Sequence, residues 1–105
     1  MRKDVKTLEC KLGPGAFSGQ RTFEVTLADK TIHVGLAPRI YCWTRDGKHQ
    51  PEVQNGETLE GLIAARVLKM TNGHTRVEIP DGEVVEVATN ALKDLPKGDW
   101  DDVPL

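Results

Sequence analysis

The run RIYCWTR at positions 39–45 contains the residues best suited to bind a partner. In an extended strand the side chains alternate between two faces, so the odd-numbered residues of this run would project together. Arginine and large aromatic residues are the types that dominate binding hot spots and that form stacking platforms for bases. The sequence therefore predicts a binding site formed by Arg39, Tyr41, Trp43 and Arg45, with Lys48 extending its positive charge.

The two aromatic residues of this run have a second interpretation. The chain has only five aromatic residues among 105, and large rings are readily used for packing. In that case Tyr41 and Trp43 lie in the core while both arginines curl out to water. The sequence leaves open whether these rings are exposed or buried.

Catalytic motifs are missing from the sequence. Gly13-Pro14-Gly15 lacks the Lys-Ser/Thr pair of a phosphate-binding loop, and the histidines at 33, 49 and 74 match no metal-site spacing. Strand alternation places His33 on a solvent face, opposite to its apolar neighbours. We predict that the protein is not an enzyme and holds no cofactor and no metal.

The composition indicates an intracellular protein. The N-terminal residues contain no apolar run typical of a signal peptide, and no segment approaches the ~20 apolar residues of a membrane span. We expect a cytoplasmic location. Cys10 and Cys42 are then predicted to be reduced and buried rather than joined in a disulfide.

The net charge of −2 hides an asymmetry between the two halves of the chain. Residues 1–52 carry nine Lys/Arg and six Asp/Glu, whereas residues 53–105 carry five and ten. Such a molecule could dock charged partners or associate head to tail, or its two faces could simply be solvated. The overall balance disfavours a dedicated nucleic-acid binder.

Strand patterns dominate the first half of the chain. We predict strands at 5–12, 21–28, 31–36 and 40–44, with a loop at 45–57. The apolar residues of the second and third strands are expected to form one buried face (Phe23, Val25, Leu27, Ile32, Val34 and Leu36).

The second half, residues 58–93, is predicted to be a three-stranded antiparallel meander. Its turns are Asn72-Gly73 and Pro80-Asp81-Gly82, each flanked by β-branched residues. Residues 58–70 also fit an amphipathic helix, although Arg66 falls within its apolar stripe, and we favour a strand. Residues 94–105 form an acidic tail around Trp100, which is a further candidate ligand or core cap, or a disordered terminus.

The two halves show a similar pattern. At an offset of 52, five positions coincide (Val25, Leu27, Asp29, Ile32 and Ile40 with Val77, Ile79, Asp81, Val84 and Leu92). Only two of these five pairs are identical (Val25 with Val77 and Asp29 with Asp81), so the match is a strand pattern shared by two meanders, suggestive of duplication rather than proof of it.

Residues 56–92 resemble the small SH3-like barrels, a group that includes KOW and Tudor-type modules. The similarity lies in residues 56–61, 65–68, 77–82 and 86–87. It implies a small β-barrel, and such modules are found in translation and transcription machinery.

We therefore predict one all-β domain over residues 1–105: an SH3-like antiparallel barrel or sandwich of about seven short strands, or two related meanders sharing one core. The predicted function is a binding or assembly module that contacts a protein partner through residues 39–45 and the adjacent loops. The alternative is an RNA-associated module using the same face, and the third possibility is an enzyme with a loop-borne site.

Overall fold

A computed structural model describes residues 4–98 of the chain. Eight strands are present in this range: β1 (Val5–Pro14), β2 (Gln20–Thr26), β3 (Ile32–Pro38), β4 (Cys42–Thr44), β5 (Leu59–Met70), β6 (His74–Glu78), β7 (Val84–Ala88) and β8 (Leu92–Lys93). Two short 3₁₀ turns lie at Arg39–Tyr41 and Thr89–Ala91. The predicted all-β class is confirmed, with eight strands where about seven were expected. Trp100 and its acidic neighbours fall outside the described residues.

The strands form one curled antiparallel sheet, a half-barrel, in the order β3-β2-β1-β5-β6-β7. The long strands β1 and β5 pair at its centre. The short strand β4 pairs with β5, and β8 pairs with β1. The last strand of each half thus pairs with the first strand of the other half (β4 with β5, and β8 with β1), and this pairing joins the two halves in one sheet.

The segment 58–70 is a strand, as we favoured, and the helical alternative is wrong. β5 pairs with β1 through eight residue pairs, and its central residues are buried on both faces because it lies in the middle of the sheet. Arg66 stays exposed and pairs with Glu78. Gly73 and Gly82 adopt φ of +88° and +89° at the two predicted turns, a conformation that glycine adopts without steric cost.

One apolar core fills the inner side of the sheet. Both halves contribute to it, which confirms the predicted shared core (Leu8, Cys10, Leu12, Phe23, Val25, Ala37, Cys42, Ile63, Ala65, Val77, Ile79, Val87 and Leu92). Both cysteines are free and buried, as expected. Burial raises the pKa of Cys42 to about 12, and burial with the neighbouring Cys42 raises the pKa of Cys10 as well.

The two faces of β3 are exchanged relative to the prediction. Ile32, Val34 and Leu36 were expected inside, but they are 56%, 56% and 47% exposed. His33, predicted to face solvent, instead lies on the inner side, where its Nε2 is 2.8 Å from Oδ2 of Asp81. Strands β2 and β3 pair in a register that places odd-numbered residues opposite odd-numbered residues, so Phe23 and Val25 share the inner face with Gly35 and His33.

The turn between β2 and β3 sets this register. Lys30 adopts φ of +75° and donates its backbone N–H to Leu27, while the Leu27 N–H donates to Thr31. Leu27 and Thr31 close the turn, so its loop has three residues, 28–30, one more than a two-residue hairpin loop. The extra residue is the left-handed Lys30. Because the side-chain period of a strand is two, a shift of one residue moves every side chain to the opposite face.

The turn of the second half repeats this geometry at the offset of 52. Ile79 N–H donates to Glu83, Gly82 N–H donates to Ile79, and Gly82 takes the left-handed position of Lys30. Asp29 and Asp81 each accept a backbone N–H two residues further along the chain. The two halves therefore share both element order and turn geometry.

The alignment of Ile40 with Leu92 needs correction. Leu92 follows the second 3₁₀ turn as Cys42 follows the first, since β7 is two residues shorter than β3. Leu8 pairs with Ile63, and each is flanked by one of the end strands: Leu8 by Leu92, Ile63 by Cys42. This arrangement relates the halves by an approximate twofold axis between β1 and β5.

Candidate interaction surface

The predicted row of residues 39–45 does not form a continuous strand. Arg39 and Tyr41 belong to the first 3₁₀ turn, whereas Trp43 lies in β4 and Arg45 follows it. A 3₁₀ turn has three residues per turn, so strand alternation does not carry across it. The alternation that grouped these side chains on one face therefore does not apply to Arg39 and Tyr41.

Trp43 is buried, which resolves the two alternatives for this residue in favour of packing. Its relative exposure is 0%. Strand alternation correctly places it opposite Cys42, but that second face of β4 is covered. Trp43 packs there with Leu62 and Ala64 in a small second cluster that also includes Tyr41 and Leu95, and its ring stacks on His49 at 5.1 Å. Trp43 can therefore not anchor an external partner, and Tyr41 is only half-buried beside it.

The basic residues of the predicted site each lie near carboxylates or in the adjacent loop. Arg39 is 3.5 Å from Glu52. Arg45 donates to Oε2 of Glu60 at 2.9 Å and lies 3.6 Å from Glu9. Lys48 is exposed in the loop after β4. These ion pairs lie at the surface and neutralise the positive charge on which a phosphate-binding face would depend.

A cleft lined by charged residues lies beside β1 and β2 in the described part of the chain. A cleft of about 360 Å³ opens between β1 and β2, lined in part by Glu9, Lys11, Glu24, Arg45 and Glu60. Among these charged groups, Arg45 forms ion pairs with Glu9 and Glu60. Within residues 4–98, no group of three or more His, Cys, Asp or Glu side chains is placed to hold a metal ion.

The most prominent exposed apolar feature is one that the sequence analysis placed in the core. Ile32, Val34 and Leu36 stand in a row on the outer face of β3, and we call them the β3 surface. Alternate residues of a strand are spaced by about 6.6 Å, so the three side chains form a contiguous apolar stripe. Isolated exposed aliphatic residues are normal, but contiguous ones mark contact sites.

The backbone of the β3 surface is also unpaired within the sheet. β3 is an edge strand, and the bonds from Leu27 to Thr31 and from Arg39 to Gly19 show that its odd-numbered residues bond to β2. In an antiparallel pair the even-numbered residues must then point their N–H and C=O groups outward. Among residues 4–98, the backbone hydrogen bonds outside the strand ladders involve none of the three residues of the β3 surface.

The opposite edge, β7, is protected in two ways that β3 is not. At the offset of 52, the outward positions of β7 are Val84, Glu86 and Ala88, so a charge interrupts the apolar row. The Glu86 carbonyl also accepts the N–H of Ala28 from the β2–β3 turn at 2.8 Å. The residue equivalent to Ala28 is Pro80, which has no N–H to donate. Charged residues and covering loops are the usual protection of sheet edges. The outward positions of β3 carry no charge, and the β6–β7 turn reaches β3 through the Asp81 side chain at His33 and not through a backbone hydrogen bond to the β3 surface.

Comparisons of the chain with protein-family models, with curated proteins and with solved structures find no match. Among residues 4–98, no helix has the length and apolar character needed to cross a membrane.

Proposed function

We propose that this protein is a non-enzymatic binding module and that it contacts a protein partner through the β3 surface. The observation that carries the proposal is a row of three half-exposed aliphatic side chains on β3, an edge strand that pairs with β2 on one side and with no strand on the other. The site moves from the sequence-predicted residues 39–45 to the strand just before them. Arg39 adjoins the new surface at the end of β3, whereas Trp43 is excluded from it by burial.

The energetics favour a protein as the partner. An extended chain laid beside β3 sets its own side chains next to those of the β3 surface, and each such cross-strand pair contributes roughly 0.2–1 kcal/mol. Outward N–H and C=O groups add directional bonds to any extended chain laid beside β3. A nucleic acid offers neither an apolar strand nor matching backbone groups, and the β3 surface carries no basic residue.

The SH3-like assignment stays a proposal at the level of the family. It is supported by the small size of the domain, the curled antiparallel sheet and the meander at β5–β7. The RNA-associated alternative has weaker support, because Arg39 and Arg45 both lie near carboxylates.

The proposal is tested by affinity capture from an extract of the producing cells. Val34→Glu gives β3 the residue that β7 carries at the equivalent position, so the fold should tolerate it. The matched control is Val84→Glu, which adds the same charge at a half-exposed position of the other edge strand. We expect proteins captured by the wild type and by the control to be lost with Val34→Glu. If all three proteins capture the same set, the β3 surface is not the contact site.

The sequence-predicted site is tested in the same experiment. Lys48→Ala and Arg39→Ala each remove one accessible basic side chain of the site predicted at residues 39–48. If these variants lose the captured partner while Val34→Glu retains it, the contact lies at residues 39–48 instead.

A further inference from the structure

We propose that the partner of the β3 surface is a second copy of this chain, paired with it strand to strand in antiparallel fashion about a twofold axis at Val34. This inference rests on the proposed function, since it names the occupant of the same surface. It follows from the hydrogen-bond parity, the residue pattern and the charges along β3.

The hydrogen-bond parity of β3 permits this pairing. A twofold axis at Val34 places Val34 opposite Val34, and Ile32 opposite Leu36, of the second copy. All three residues point their N–H and C=O groups outward, so each pair matches donors with acceptors. Pro38, which has no N–H, falls beyond the paired region and opposite the turn residue Lys30.

The side chains are self-complementary in the same register. Residues paired across antiparallel strands project to the same face, so three apolar residues from each copy would form one continuous stripe. An isologous contact requires this property, because the same patch must fit itself. No like charges face each other along the paired strands, since the outward positions of β3 carry none.

The charges at the ends of β3 are complementary. Asp29 lies in the turn before β3 and Arg39 directly follows β3, so an antiparallel pair about Val34 brings Asp29 of one copy and Arg39 of the other to the same end of the paired strands, and the axis repeats this at the far end. Asp29 is ionised at neutral pH, as an aspartate ordinarily is, and hydrogen bonds from Thr31 lower its pKa further. Arg39 is 43% exposed at its side chain and lies 3.5 Å from Glu52, so it has donors left for a second carboxylate.

The contact should be weak and depend on concentration. Three apolar residues per copy are few compared with the roughly 20–30 residues per side of a standard interface. We therefore expect a monomer in dilute solution and a growing dimer population at high concentration, rather than a permanent dimer.

Sedimentation equilibrium of the full chain over a range of concentrations tests the pairing. The average mass of the wild type should rise toward twice the chain mass. Val34→Glu sets two carboxylates opposite each other and should weaken the dimer by roughly tenfold or more, while Val84→Glu should leave it unchanged. A wild type that stays monomeric up to about 1 mM overturns the inference, because its Kd would then lie above the millimolar range. Dimerisation of Val34→Glu with wild-type strength also overturns it.

A charge-swap experiment tests the register itself. Val34→Glu and Val34→Lys should each be monomeric alone, but an equimolar mixture should associate, because the axis at Val34 places opposite charges together. Circular dichroism spectra that match the wild type show that both variants are folded. If the mixture stays monomeric while the wild type dimerises, pairing about Val34 is wrong.

The two proposals fail differently. If the wild type is monomeric but its captured partners are lost with Val34→Glu, the proposed binding role of the β3 surface is supported. Only the inference that a second copy binds there is then wrong. If the wild type is monomeric and Val34→Glu captures the same partners, both the binding role of the β3 surface and the pairing with a second copy are wrong.

Discussion

Replacing Trp43 separates a structural role from a binding role for the most distinctive residue of the chain. Its ring is fully buried among Leu62, Ala64 and the stacked ring of His49. Truncation of a buried Trp to Ala removes its transfer free energy and leaves a cavity, which together cost about 3–5 kcal/mol. A domain of this size has about 5–15 kcal/mol in total, so Trp43→Ala should be marginally folded.

Trp43→Phe provides a milder test of the same packing. It keeps an aromatic ring but leaves part of the space empty, and we expect a loss of about 1–2 kcal/mol in the free energy of unfolding. Urea unfolding followed by circular dichroism measures both variants. Phe17→Ala is the control, because Phe17 is 73% exposed and its truncation should change stability by less than about 0.5 kcal/mol.

Fluorescence tests the burial of Trp43 independently of its energetics. In a Trp100→Phe background the remaining tryptophan should emit at short wavelength and resist quenching by iodide. Emission typical of hydrated tryptophan, together with a Trp43→Ala variant as stable as the wild type, would refute the assignment of Trp43 to the core. That result would return it to the candidate binding residues.

Three further predictions concern the core and its polar groups. Gly35→Ala would place a methyl group 2.7 Å from the Phe23 ring, and this overpacking should cost about 1–3 kcal/mol in urea unfolding, whereas Gly19→Ala, with no neighbour within 4 Å, should have little effect. The buried guanidinium of Arg21 donates hydrogen bonds to three backbone carbonyls, and Arg21→Met removes these donors. The free energy of unfolding should fall by about 2–4 kcal/mol, and equal stability would show that these bonds contribute nothing. Because burial raises the pKa of Cys42 from 9.0 to about 12 in the folded state, its stabilisation is fully present below pH 9 and is lost as the pH rises from 9 to 12. Cys42→Ala should show a shallower loss of stability from pH 8 to 10, and identical slopes would contradict the burial of this thiol.

The meander at β5–β7 could be predicted because its signals are local. Asn72-Gly73 and Pro80-Asp81-Gly82 place glycine at the positions where φ is positive, and the flanking residues alternate with the correct parity. The strand character of β5 was harder to predict, since its central residues are apolar on both faces. Its position between β1 and β6 explains that pattern.

The face of β3 could not be read from apolar alternation alone. The sequence offers apolar residues at 32, 34 and 36, and only the turn length decides whether they point inward. Lys30 occupies the left-handed position without the glycine that normally marks it. The signal was present in the repeat, because Lys30 aligns with Gly82 at the offset of 52.

The burial of Trp43 depends on contacts distant in sequence. Strand alternation separated it correctly from Cys42, but no local pattern shows that the second face of β4 is covered. Leu95 and Leu62 close that face from other parts of the chain. The exposure of Trp43 could therefore not be predicted from one strand, because tertiary packing decides it.

Amide hydrogen exchange along β3 tests the open edge most directly. Measured by NMR in dilute solution, the N–H groups of Ile32, Val34 and Leu36 should exchange rapidly, while those of His33 and Gly35, bonded to β2, should be protected. Raising the protein concentration should slow exchange at the three outward positions only. Protection of all five amides in dilute solution, or the reverse alternation, would contradict an open β3 edge and the binding role proposed for it.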